Sequence, residues 1–131
     1  MKKLYLLFVF FSLLGFSCKG MNTATLTLQV TMNNITQNIQ GYIASQKASY
    51  TAGGLIFTYP TALFTVAPMI RLAIEANVAH TDNITYTAEV SANSATSATV
   101  MVYKFTTTLG LVSIAEAPSG DVTIHFVAAG L

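Results

Sequence analysis

Apolar and polar residues alternate one for one along most of this chain, the period of half-buried β-strands rather than of helices. In Thr25-Leu26-Thr27-Leu28-Gln29-Val30 the apolar set Leu26, Leu28 and Val30 shares one face and the threonines the other, which predicts a strand. Ile70, Leu72 and Ile74 alternate with Arg71, Ala73 and Glu75, so both charges fall on the solvent face of a second. Ile84, Tyr86, Ala88 and Val90 form a third inward row. In Thr99 to Phe105, Val100 and Val102 oppose Met101, Tyr103 and Phe105, so both faces of that strand are expected to be covered. Short strands are also predicted at Leu55 to Tyr59 and at Leu111 to Ala115, and a last one at Val122 to Ala129.

Turn residues punctuate this pattern. The amide-rich Asn33 to Asn38 reads as a loop or a weak hairpin, and Gly41 to Tyr50 carries no decisive period. Ala52-Gly53-Gly54 breaks the chain. Pro60 and Pro68 bracket a non-helical connection, because proline restricts the residue before it and offers no ladder donor. Ala79 to Asn83, Ser91 to Ser97 and Ala117 to Gly120 read as turns. Some six to seven short strands, with turns at intervals of roughly 8 to 12 residues, predict an all-β fold, a small antiparallel β-sandwich.

The first 20 residues stand apart from the rest of the 131. Met1-Lys2-Lys3 is basic, Leu4 to Phe16 is almost wholly apolar, and Ser17-Cys18-Lys19-Gly20 is small or polar, the layout of a secretory signal. The apolar run is shorter than the roughly 20 residues that span a bilayer. Residues 1–20 are therefore expected to be a leader and 21–131 a single secreted or surface-attached domain. Gly15-Phe16-Ser17-Cys18 also resembles a bacterial lipobox, which implies lipidation at Cys18; cleavage after Gly20 is the alternative, and membrane attachment is expected only through leader or lipid. With one cysteine no intrachain disulfide forms, so packing alone must hold the fold.

Charge narrows the partners. From Lys19 onward, Lys19, Lys47, Arg71 and Lys104 stand against Glu75, Glu89, Glu116, Asp82 and Asp121, a net charge of about −1. No basic patch for nucleic acid can be assembled from these residues.

Two segments carry a family resemblance: Phe57-x-x-Pro60 with Ala62 and Phe64 running to Pro68, and the closing Phe126-x-Ala128-x-Gly130. With the central strand and its aromatic cluster, they make residues 53–130 resemble the H-type lectin domain and the related β-sandwich at the tip of phage tail fibres. Phe126 stands where that family usually has tryptophan. The resemblance implies a homotrimer that binds sugar between protomers, through an aromatic and a histidine after the central strand and an arginine on an adjacent strand. Here Phe105 holds the aromatic position, Thr106 stands where histidine is expected, and Thr85 lies nearest the arginine position.

Tyr103, Lys104, Phe105 and Thr106 are accordingly the candidate ligand-binding residues, since a sugar platform joins an aromatic face to polar side chains that fix hydroxyls. Packing of Tyr103 and Phe105 against a second sheet or another protomer is the competing reading. His80, Asp82 and His125 are too few and too scattered to predict a metal site. No nucleophile-base ordering, close carboxylate pair or phosphate loop is evident, so neither an enzyme nor a cofactor is expected. The expected function is lectin-like binding of a glycan or cell-surface receptor; the alternative is a structural or assembly module of the same fold.

Overall fold

The computed structural model describes residues 9–12, 20–33, 35–79 and 81–131. Nine strands and no helix occur among them: β1 (Val9–Ser12), β2 (Asn22–Met32), β3 (Ile35–Ser49), β4 (Leu55–Thr58), β5 (Met69–Ala76), β6 (Ile84–Asn93), β7 (Ser97–Thr108), β8 (Leu111–Glu116) and β9 (Val122–Gly130). Every pairing is antiparallel. One sheet has the order β1-β2-β3-β9-β5 and the second β4-β7-β6, with β8 also on β7. Because β6 pairs with Ala98 to Thr106, β4 and β8 share the other edge of β7, end to end. The two sheets pack into the β-sandwich that the alternation predicts.

The core follows the period of two. Val122, Ile124, Phe126 and Ala128 of β9 face Ala98, Val100 and Val102 of β7, all buried. Phe126 stacks on Phe57 with ring centroids 4.2 Å apart, and Tyr59 meets Phe64 edge-on at 5.0 Å. The two separated segments of the family-like pattern thus touch each other at the centre of the molecule. Gly130 is required there by contact, since a Cβ on it would lie 3.1 Å from Pro68 Cβ and 3.2 Å from Phe64 Cδ1.

Several expectations are corrected. Of the two readings of the amide-rich stretch, the hairpin holds and the loop does not: β3 begins at Ile35, and Ile35 to Asn38 pair with Met32 to Gln29. A continuous ladder outweighs the turn preference of isolated Asn and Gln residues. Gly41 to Ser49, undecided by period, is the strand's second half, pairing with β2 on one side and β9 on the other. β6 runs on to Asn93 through a register shift between Val90 and Ala92, so the expected turn at Ser91 shrinks to the segment before Ser97. Eight strands follow Gly20 rather than six or seven. Of the expected leader, Val9–Ser12 pairs with Leu28 to Thr25 on the edge of β2; Cys18 and the lipobox-like residues lie outside the described residues.

The hairpin β2–β3 outreaches the sandwich. β9 ends beside Tyr42, so Ile35 to Gly41 and their partners Met32 to Leu26 continue past it as an arm, edged by β1 as far as Leu28 and two-stranded beyond.

Candidate functional site

Strand alternation divides the four candidate residues. Along β7 the buried set Ala98, Val100 and Val102 leads on to Lys104 and Thr106, while Met101, Tyr103 and Phe105 share the outer face. The four are thus divided, Tyr103 and Phe105 to the outer face and Lys104 and Thr106 to the other.

Lys104 points into the sandwich instead. Its Nζ lies 3.2 Å from Asp121 Oδ2 and 5.7 Å from the centre of the Tyr86 ring, and the Tyr86 hydroxyl donates to the same carboxylate oxygen at 2.9 Å. The hydrogen bond to Asp121 raises the lysine's pKa, so it stays charged. Burial, then the bond to Asp121, raises that of the Tyr86 phenol. This cluster ties β6 and β7 to the start of β9 across the layers; it is a fastening between sheets.

Tyr103 and Phe105 remain together on the outer face. In register, Tyr103 stands between Thr87 and Glu116, and Phe105 between Thr85 and Ile114. The Tyr103 hydroxyl donates to Glu89 Oε1 at 3.1 Å, and this bond raises the phenol's pKa. Glu116 is fixed from the other side: its Oε1 accepts the Tyr50 hydroxyl at 2.7 Å and the backbone N–H of Gly53. Those donors, Gly53 first, hold its carboxyl below the usual range. Two half-buried aromatic rings thus lie among two carboxylates and two threonines, a surface able to stack a sugar ring and accept hydrogen bonds from its hydroxyls. The carboxylates were missed because Glu89 and Glu116 are far from Tyr103 in sequence; only the pairing of three strands brings them beside it.

The other candidates settle elsewhere. His125 lies on the outer face of β9, opposite the buried Val122, Ile124 and Phe126, as alternation predicts. Its Nε2 is 2.9 Å from Glu75 Oε2, which also meets Lys47 Nζ at 2.8 Å. The hydrogen bonds from Lys47 and then His125 hold the Glu75 carboxyl low. His80 lies outside the described residues. Among the described residues no three His, Cys, Asp or Glu side chains group as metal ligands do.

Comparison with protein-family models, curated proteins and solved structures returns no match for this chain.

Proposed function

We propose that this protein is an exported, lectin-like binding module that recognises a glycan or cell-surface receptor through the outer face of β6, β7 and β8. The observation that carries the reading is the Tyr103–Phe105 pair, presented outward beside Glu89 and Glu116 rather than packed between the sheets. The aromatic rings offer stacking area at small entropic cost, and the two fixed carboxylates accept hydroxyl donors. The resemblance to H-type lectins and the leader-like first 20 residues support it. A site this shallow works by multiplication: linking copies in one assembly raises avidity without new contacts.

A glycan array probed with the full chain and with Tyr103→Ala tests the reading. Binding to a defined set of glycans, lost on Tyr103→Ala, is the expected result. No binding by a folded, assembled wild-type protein overturns it.

An assembly module of the same fold is the second reading, favoured by the exposed Val112 and Ile114 on the same outer face as Phe105. Phe105→Ala separates the two: loss of sugar binding with assembly intact supports the first, and loss of assembly supports the second.

A further inference from the structure

The arm's sidedness runs opposite to that of the sandwich it grows from. The core-side residues of β3 are Tyr42, Ala44 and Ala48, so the face turned toward the second sheet continues along the arm as Gln40, Asn38 and Thr36, paired with Thr27, Gln29 and Thr31. Polar residues thus occupy the side where an ordinary sandwich strand is apolar. The opposite, outer face carries Leu26, Met32, Ile35, Ile39 and Ile43, interrupted by the exposed Gln37 between Ile35 and Ile39. Met32 is 68%, Ile35 66% and Ile39 44% exposed, and at the root Met69, which pairs with Ala129, is 81% exposed. Monomeric proteins seldom leave so many large apolar side chains along one strip in water.

Where the arm leaves the body, that strip contains a groove of about 280 Å³ whose lining includes Leu26, Ile39, Gly41, Ile43, Ala129 and Leu131. Gly41 keeps it open, since a Cβ there would meet the Gly130 carbonyl oxygen at 3.3 Å. Small-molecule sites add a few convergent polar groups to their apolar walls; here the wall, which also includes Tyr42, is apolar almost throughout. The groove suits an aliphatic side chain, and the arm's own tip supplies two, Met32 and Ile35.

We infer that the arm is a homotypic interface: the outer faces of two β2–β3 arms pack antiparallel about a two-fold axis, each tip seating Met32 and Ile35 in the partner's groove at Gly41. Three observations single out a second copy as the occupant. The dimensions match, because at about 3.3 Å per residue the tip lies roughly 27 Å from the Ala24 row and about 20 Å from the Leu26 row, so overlapped arms bring tip to root. Charge allows it: from Leu26 to Met32 and from Ile35 to Gln46 there is no charged residue, so two identical faces meet without repulsion. The area fits a weak, reversible contact, since a strip about 27 Å long and ~15 Å wide covers on the order of 400 Å² per partner, below the ~800 Å² of a standard interface. Such contacts are self-complementary and close on themselves. The interface would supply the multivalency on which the proposed function rests, yet it stands on the arm's geometry alone.

Sedimentation velocity on the full chain tests the inference. Wild type is expected to associate at micromolar concentration, and Met32→Glu with Ile35→Glu to weaken association by roughly 100-fold or more, because each charge would be buried unpaired. Ile56→Glu, exposed on β4 of the second sheet, is the control and leaves assembly unchanged. A second variant guards against misfolding: with Cys18→Ser, Met32→Cys and Ala129→Cys are too far apart within one chain for a disulfide, which needs Cα atoms within about 7 Å. Oxidation is expected to give a covalent dimer. A monomeric wild type, assembly indifferent to the paired glutamates, or a monomer that co-sediments with phosphatidylcholine vesicles overturns the inference. The glutamate variant keeps the Tyr103 face, so sugar binding that persists at lower avidity separates failure of the interface from failure of the lectin reading.

Discussion

β9 and the β2–β3 arm are written in the same alternating code, and the structure sends their apolar residues to opposite destinations. Val122, Ile124, Phe126 and Ala128 close the core. Met32, Ile35 and Ile39 stand in solvent on the outer side of the same sheet. Period reports that a strand has two unlike faces. Which face meets a partner within the chain depends on where neighbouring strands end, and β9 ends at Gly130, short of the arm.

The comparison breaks most sharply at Phe126. Phe126→Ala removes a ring stacked on Phe57 and is expected to cost about 3–5 kcal/mol, the range for truncating a buried aromatic. Urea denaturation followed by circular dichroism reads it directly. A loss under about 1 kcal/mol would mean the core tolerates a void at its centre, contrary to the packing described.

At Gly130 the effect is smaller and of the other kind. Gly130→Ala places a methyl 3.1–3.2 Å from Pro68 and Phe64. Overpacking costs about 1–3 kcal/mol, and the stiffer unfolded chain returns roughly 0.4–1, so a net loss of about 1–2 kcal/mol is expected in the same denaturation assay.

Acid tests the polar fastening beside the core. Glu116 has its folded pKa depressed by Gly53 and Tyr50, so its contribution is complete above the unfolded value of about 4.3 and is lost as pH falls through the folded one. Glu75, depressed by Lys47 and His125, acts in the same direction. Thermal stability should therefore decline below about pH 4, and Glu116→Gln should flatten that decline. Tyr50→Phe, which removes the hydroxyl donor, is expected to cost about 1 kcal/mol at neutral pH. An acid limb unchanged by Glu116→Gln would show that the carboxylate makes no differential contribution to folding.

The body of the sandwich was legible in the sequence because its signals are local. Alternation in Ile70 to Glu75, Ile84 to Glu89 and Val122 to Val127 assigns each residue its side, and the structure agrees. Phe126, in the same alternating row as Val122 and Ile124, is buried with them. Local signals left open what the ladder decides: Asn33 to Asn38 reads as a loop or a hairpin until the eleven residue pairs of β2 and β3 settle on the hairpin. At the candidate site, adjacency in sequence misled directly. Tyr103, Lys104, Phe105 and Thr106 are consecutive, and consecutive strand residues face apart. Glu89 and Glu116 reach the same face only through the pairing of β6, β7 and β8. Nor did the alternation of Thr25 to Val30 reveal that the side of Leu26 lies on the outside of the sandwich, since that depends on a register with β3 and β9 that no single strand encodes.

The smallest expected effect is the most telling for the comparison. Ile39→Ala deletes as much aliphatic bulk as many core truncations, but within a single chain its side is open, so in dilute solution the loss should stay within about 0.5 kcal/mol. Raising the protein concentration should enlarge the loss, because a contact made only between copies stabilises by mass action and disappears from a monomer measured alone. Phe126→Ala, by contrast, should cost the same at both concentrations beyond the shift that dimer linkage adds to every variant. Denaturation of both variants at submicromolar and at high micromolar concentration separates an apolar face that serves the chain from one that serves the assembly. Equal losses for Ile39→Ala at the two concentrations would place the arm's contribution wholly within the monomer.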